Sequence, residues 1–443
     1  MKVCIIGAGD SGAIAALQIR RLDSNAQVDV FSERAELGCP PCEMPLVLGG
    51  TVAHWEELVR GLRTKPFYEK RNVNIHLDTE VTDILREERC IFAGGERFTY
   101  DKLILALGAI SSIPSFSGLD SRNEFVLSTD MVDAVALGNI IPKCTKAAIV
   151  GGGFIALEVA AALKSMGYGK VHLVVRRGIL RANLDEDMAE KLEGVIKENG
   201  VELILPAKIE SFRNRGQGKL VVLSDRELEV DFVFFATGVE PNVELARKAG
   251  LQIGETGAIA VNQCLQTSDP DIYAVGDCME NWDVITGSKR RLHLATNAIR
   301  TGYIAGRNVV LNNLIAYEGT AMPFVTKIFT HQIGAVGFTE REAREKGLDV
   351  VSVRVTTPWL RQRFGGKPAH YKLTADRRTK TLVGAQIISE EIVSGTVDKL
   401  AVAIAANMPL IKLMQIDSSY SPHVQEDQIA VPIQRLIDEL GSK

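Results

Sequence analysis

Two stretches of this chain repeat one pattern that few folds accommodate. Gly7-Ala8-Gly9-Asp10-Ser11-Gly12 follows a strand-like run at 2–6 and precedes a helical stretch, Ala13 to Leu22. Gly151-Gly152-Gly153-Phe154-Ile155-Ala156 follows Ala147 to Val150 and precedes a helical stretch from Leu157 to Met166. Each is closed by a second β-rich run, Val28 to Phe31 and Val171 to Val175. In this strand–turn–helix–strand order the first glycine makes the turn and the second lets backbone approach a pyrophosphate. The third, or an alanine in its slot, lets helix and strand pack closely. The helix N-terminus then faces the phosphates. One match could be a surface turn. Two in context, about 140 residues apart, predict two dinucleotide sites.

The residues ending each second strand separate the two sites. A ribose 2′-hydroxyl is met by a carboxylate and a 2′-phosphate by arginine. Val175 is followed by Arg176 and Arg177, with no carboxylate, so the second site reads as an NADPH site, with NADH the alternative. The first strand ends Phe31-Ser32-Glu33-Arg34, where Glu33 is the expected ribose partner. FAD is the chemically useful companion of a nicotinamide cofactor.

Composition narrows the rest. The 443 residues carry a formal net charge of −4, which gives no field for nucleic acid. No apolar run reaches the ~18 residues of a membrane span, and no leader pattern precedes the first strand. Seven cysteines, an odd number, fit a reducing cytoplasm better than a disulfide framework. Cys4, Cys90, Cys144, Cys264 and Cys278 read as small buried hydrophobes.

Taken together, these motifs resemble the FAD-dependent pyridine nucleotide-disulfide oxidoreductases, in the branch of coenzyme A-disulfide reductases, persulfide reductases and NADH oxidases. The resemblance covers essentially the whole chain. It is carried further by Leu105-Ala106-Leu107-Gly108-Ala109, by Ala236-Thr237-Gly238-Val239-Glu240-Pro241-Asn242, and above all by Thr267 to Asp277. It implies an α/β fold with two Rossmann-like dinucleotide-binding domains and a C-terminal α+β dimerisation domain. The FAD domain would be split over 1–110 and 243–318, the NAD(P)H domain would span 111–242, and the interface domain 319–443. Strand-like runs at Phe324 to Phe329, Val350 to Val355 and Leu382 to Ile388, with a helical Val397 to Ala406, support the last of these from the residues alone. By resemblance, FAD would be held by Gly7, Gly9, Gly12, Ser32, Glu33, Arg34, Val81, Ala106, Gly108, Gly276, Asp277 and Asn297. Asn297 falls in a helical stretch, Leu294 to Asn308. NADPH would be held by Gly151, Gly153, Phe154, Ile155, Arg176, Arg177 and Gly238. A homodimer is implied, and no metal.

The same resemblance picks out Cys42, in Gly38-Cys39-Pro40-Pro41-Cys42-Glu43-Met44-Pro45, as the redox cysteine. A cysteine near a helix N-terminus and a flavin can be held as a thiolate, which attacks a disulfide or persulfide sulfur. Cys39 departs from the branch, where an aromatic is usual. Three readings stay open: an internal Cys39–Cys42 disulfide, Cys42 acting alone, or half of a metal site. Tyr420, in Asp417-Ser418-Ser419-Tyr420-Ser421-Pro422, resembles the tyrosine that reaches across the dimer as a proton donor. His423 is read as an interface residue or an acid–base group. Gln18, Arg21 and Lys70 match coenzyme A contacts; the bland reading is ordinary surface residues. Gln362 and Arg363 stand where the branch often has tyrosines, which leaves the acceptor open among coenzyme A disulfide and other small-molecule disulfides or persulfides. The leading alternative is an NAD(P)H oxidase, whose relatives place a histidine where this chain has Asp10. Reduction of a ferredoxin-like protein and a flavin-binding sensor are further alternatives.

Overall fold

The computed structural model describes residues 1–37, 40–59, 64–126, 131–358, 360–421 and 429–441. It opens with β1 (Lys2–Ile6), α1 (Asp10–Leu22) and β2 (Gln27–Phe31). β1 is flanked by strands on both edges and covered on both faces, so Val3 to Ile6 are apolar without alternation and all are buried. β1 and β2 run parallel with Ile5 opposite Val30. Next come α2 (Met44–Leu48), β3 (Asn74–His76) and β4 (Lys102–Leu105), the last pairing with the free edge of β1.

A second unit repeats the plan. It is built from β5 (Glu124–Val126), β6 (Lys146–Val150), α3 (Phe154–Ser165), β7 (Lys170–Val174), α4 (Glu186–Glu198), β8 (Glu202–Ile204) and β9 (Phe232–Phe235). Its parallel sheet has the order β8-β7-β6-β9-β5. The chain passes between the units through a two-stranded link, Ala109–Ser111 against Val239–Pro241. It then re-enters the first sheet as β10 (Ile272–Ala274), giving the order β10-β4-β1-β2-β3. α5 (Ala295–Leu311) packs along α1 so closely that a Cβ on Gly302 would lie 2.2 Å from the Ser11 carbonyl oxygen.

Both fingerprint helices start at the second glycine's successor, at Asp10 and Phe154 rather than Ala13 and Leu157. The glycine turn supplies the cap itself, so the apolar spacing that marks the helix in the sequence begins one turn late.

The last unit is an antiparallel sheet of β11 (Phe324–Ile328), β12 (His331–Gly337), β13 (Val350–Pro358), β14 (Pro368–Asp376) and β15 (Leu382–Ser389), ordered β11-β12-β15-β14-β13. α6 (Glu340–Glu345) follows β12, and α7 (Ser394–Ala405) and α8 (Ala430–Gly441) cover one face. β12 and β14 escape the sequence reading because two glycines interrupt the first and Lys372 and Asp376 the second. Lys372 is buried because three carboxylates meet it, Asp185, Asp187 and Glu340, at 3.1–3.2 Å. Asp185 also accepts a bond from Gln386, which ties the second unit to this sheet. No helix among the described residues is long and apolar enough to cross a membrane.

Candidate functional site

The two glycine turns have one geometry. Gly7 has φ +106° and Gly151 φ +140°, and a Cβ on either would sit about 2 Å from the carbonyl oxygen of Ala106 or Ala236, at the end of the neighbouring strand. Only glycine fits. Gly9 and Gly153, in contrast, face open space: a Cβ there would meet nothing within 4 Å. They are the N-caps of α1 and α3, and neither cap receives a side-chain bond. The first N–H groups of each helix therefore point outward without a side-chain cap, at the positive end of the helix dipole. This is a cradle for a pyrophosphate in each unit, and the residues fit both dinucleotides on steric and electrostatic grounds. Gly108 and Gly238 border the two cradles at positive φ with nothing near their Cβ positions.

Beyond β2, Ser32 and Arg34 are half-buried and Glu33 is exposed; Ser32 Oγ accepts from the Arg34 amide. Glu33 is thus free of the core and at the strand end where a ribose would lie. Arg176 and Arg177 are exposed in the turn after β7, and neither guanidinium has a partner among the described residues. Val81 is buried on a small antiparallel sheet, Val81–Leu85 with Cys90–Ala93 and Glu96–Thr99, so only its backbone is available to a ligand.

Gly276 and Asp277 follow β10 in a short helical turn that packs on the N-terminal part of α5. The Gly276 amide donates to Thr301 Oγ1 at 3.0 Å. Asp277 Oδ2 lies 3.7 Å from His293 Nδ1. Asn297 is buried at the start of α5. Its amide nitrogen donates to Asn281 at 2.8 Å and its oxygen accepts from Tyr317 at 2.7 Å. The side chain is thus tied into a buried triad with Asn281 and Tyr317 at the start of α5.

Cys42 sits in a turn, exposed to solvent, immediately before α2. α2 belongs in sequence to the first unit but packs on α3 of the second: a Cβ on Gly49 would touch Ala162 at 3.3 Å, and Met44 and Leu48 join the second unit's core. The thiol therefore lies between the two cradles. Partial burial, then the carboxylates of Glu43, Asp10 and Glu158, push the Cys42 thiol above its usual value. α2 has five residues, too short for its dipole to offset them. Glu158, on α3, was not legible in the sequence. Burial holds its own carboxyl above the carboxylate range, and Thr326 of β11 donates to its Oε1 at 2.5 Å. Its Oε2 is sealed from solvent without a partner.

Tyr420 is exposed, and two residues before it Ser418 Oγ accepts a bond from Lys399 on α7 at 2.7 Å. Arg21 and Lys70 are exposed, and Gln18 is half-buried with an unpartnered buried Oε1. Cys39 and His423 lie outside the described residues, as does the Gln362 side chain. Cys4, Cys90 and Cys278 are buried as expected, while Cys144 and Cys264 are half-buried; the six described cysteines are free. No group of three or more potential metal-ligating side chains occurs among the described residues.

The pyridine nucleotide-disulphide oxidoreductase family model matches residues 1–302, and that family's dimerisation-domain model matches 324–428. An NADH oxidase of Methanocaldococcus jannaschii is 32% identical, with both chains covered in full. A coenzyme A-dependent NAD(P)H sulfur oxidoreductase of Pyrococcus abyssi is also 32% identical, covering 95% of this chain and 94% of the relative. The structure of an NAD-dependent persulfide reductase from A. fulgidus superposes with a TM-score of 0.95 at 29% identity, covering all of this chain and 84% of that one.

Proposed function

Because the chain belongs to the pyridine nucleotide-disulphide oxidoreductases, an enzyme family that works with FAD and NAD(P)H, we propose that it reduces a low-molecular-weight disulfide or persulfide with electrons from NADPH, through Cys42. The observation that carries this reading is the position of Cys42, solvent-exposed on a turn that bridges the helices of the two dinucleotide cradles. The sulfur relatives from Pyrococcus abyssi and A. fulgidus support the acceptor class, with coenzyme A-linked sulfur the leading candidate.

In this reading the FAD unit comprises 1–110 and 243–318, the NADPH unit 111–242, and the interface unit 319–443 of a cytoplasmic homodimer. When bound, FAD accepts the hydride of the nicotinamide and returns the electron pair to sulfur. The rest is done by side chains. Gly7, Gly9, Gly12 and Glu33 hold the flavin nucleotide, with Asp277 at the ribityl chain and Ala106, Gly108 and Gly276 shaping the wall. Gly151, Gly153 and Gly238 line the second cradle, and Arg176 and Arg177 select the 2′-phosphate. Cys42, once deprotonated, attacks one sulfur of the acceptor; the bond between the acceptor sulfurs breaks and one thiolate leaves. Tyr420 donates a proton to that leaving group across the dimer interface. FAD, when bound, would supply the electron pair that cleaves the mixed disulfide at Cys42, and with two protons taken up this would regenerate the Cys42 thiol and release the second thiol. Gln18, Arg21 and Lys70 hold the phosphates of a coenzyme A-type acceptor.

The test is anaerobic NADPH oxidation by the pure protein with coenzyme A disulfide or a coenzyme A persulfide as sole acceptor, for wild type and Cys42→Ser. Turnover that falls at least about a thousandfold in the variant, with FAD retained, is expected. Undiminished turnover in Cys42→Ser ends the thiol mechanism. The M. jannaschii relative favours a second reading, an oxidase; consumption that begins only when air is admitted would select it.

A further inference from the structure

One face of the β13–β14 hairpin is a ladder of polar pairs. Side chains alternate between faces along a strand. Val351, Val353, Ala369, Tyr371 and Leu373 join the core under α7 and α8, so the residues between them point the other way, toward α4 of the second unit. Three rungs result: Ser352 opposite Thr374, Arg354 opposite Lys372, and Thr356 opposite His370. Charge is balanced at the middle rung. Lys372 meets Asp185, Asp187 and Glu340, and Arg354 Nη1 lies 3.4 Å from Asp187 Oδ2. The outer rung has no such balance. Lys191 follows Asp187 by one turn of α4, is exposed, and pairs with no carboxylate among the described residues. Between α4 and the hairpin opens a cleft of about 280 Å³, lined by Lys191, Arg354, Thr356 and His370 together with Asp187.

We propose that this cleft is a binding site for a small tetrahedral oxyanion of the phosphate type, as the free ion or as the phosphoryl group of a small phosphomonoester, which bridges α4 to the interface sheet. The size fits a small anion, since sites for larger organic ligands take roughly 300–1,000 Å³. The donors fit as well. Lys191 brings an ammonium with no competing acid. Arg354 spends one nitrogen on Asp187 and keeps the rest of an exposed fork for a ligand. Thr356 Oγ1 lies 2.9 Å from His370 Nδ1, which fixes hydroxyl and ring relative to each other. Asp187 is already engaged by two cations. The charged groups about His370 are Lys191 and Asp187 of α4, Arg354 of β13, Lys372 of its own strand and His331 of β12, while β15 sets Ile388 beside it. Burial, then Lys191 and His331, hold the His370 imidazole below its usual pKa. A bound dianion reverses that repulsion and lets the ring take up a proton, so binding tightens as pH falls. None of these residues belongs to the glycine cradles or to the turn bearing Cys42.

The probe is radiolabelled sulfate, whose charge is constant over the range of about pH 5 to 8 in which histidine titrates. Equilibrium dialysis at fixed ionic strength measures its binding to the FAD-loaded protein. Wild type should bind sulfate saturably, Lys191→Gln and Arg354→Gln should each weaken that binding about tenfold or more, and Lys191→Arg should retain it. Affinity should rise as pH falls in wild type, and His370→Asn should lose most of that rise. Inorganic phosphate displacing sulfate at lower concentration than methyl phosphate assigns the free ion, and the reverse order assigns a phosphomonoester. No saturable binding up to about 50 mM sulfate would overturn the proposal. So would equal binding by wild type and Lys191→Gln, which places the ion elsewhere, at the second cradle or at Arg21 and Lys70. Should Arg354→Gln loosen the fold through Asp187, the exposed Lys191 decides alone by the same criterion.

Discussion

The two glycine-cradled units share a frame and differ in what is written at its edges. In both, an apolar central strand feeds a glycine turn, a helix begins at the second glycine's successor, and the adjacent strand's carbonyl forbids a side chain at the first glycine. The differences are in charge. The first unit ends its second strand with Glu33, the second with Arg176 and Arg177. The first buries an acid, Asp29, which accepts bonds from Gln27, Asn74 and His76. The second buries a base, Lys219, between Asp120 and Glu124. A common scaffold thus leaves ligand choice to a few strand-end residues, while each unit's buried charge fixes a different local element.

The comparison breaks most severely at the glycines. Gly7→Ala should cost roughly 4 kcal/mol or more in unfolding, since it combines positive φ with a clash against backbone. Gly9→Ala should leave the melting temperature of the apoprotein within about two degrees of wild type yet weaken FAD binding about tenfold or more. If both variants lose stability equally, the division between a folding glycine and a ligand glycine is wrong; Gly151→Ala and Gly153→Ala should repeat the contrast for the nicotinamide cofactor.

Removal of the second unit's buried base comes next. Lys219→Ala leaves the Glu124 carboxylate buried without its cation and should cost about 3–5 kcal/mol by denaturant melt. A loss near zero would mean that water replaces the lysine.

The strand ends should give a smaller and purely functional effect. Combined Arg176→Ala and Arg177→Ala should raise KM for NADPH relative to NADH by about 30-fold, or ~2 kcal/mol. Equal changes in the two would refute the 2′-phosphate role. The smallest effect concerns Asp29, whose three hydrogen bonds outweigh burial and hold its carboxyl below the usual range. A depressed acid stabilises the fold above its unfolded pKa and loses that contribution as pH falls through the folded one. Asp29→Asn should therefore destabilise by about 1 kcal/mol at neutral pH, and its stability curve should approach that of wild type as the medium is acidified and Asp29 takes up its proton.

Most of the frame could be read from residues in order, because the glycine pattern, the apolar runs and the motif from Thr267 to Asp277 are local. The fingerprint helices and three of the five C-terminal strands carry such signals, whereas the return of the chain to the first sheet was implied only by the family resemblance. What stayed hidden depends on partners far apart in sequence. Lys372 reads as an exposed lysine until Asp185, nearly two hundred residues earlier, is placed against it. The buried triad of Asn297 with Asn281 and Tyr317 likewise joins residues that no spacing rule connects. Cys42 stands out in its own segment, but its partial burial and the influence of Asp10 and Glu158 come from elements that no spacing rule connects to it.

β10 gives the molecule a schedule as well as a shape. It closes one edge of the first sheet, yet it emerges from the ribosome after the whole of the second unit. Until then β4, already paired with β1, presents an open hydrogen-bonding edge flanked by apolar residues, the kind of edge that recruits other chains. The second unit has no such debt and can complete its sheet first, although it is made later than most of the first. During synthesis the amino-terminal end of this protein is therefore the last of the two parallel sheets to close, and a nascent chain stalled before residue 272 is the form most exposed to aggregation.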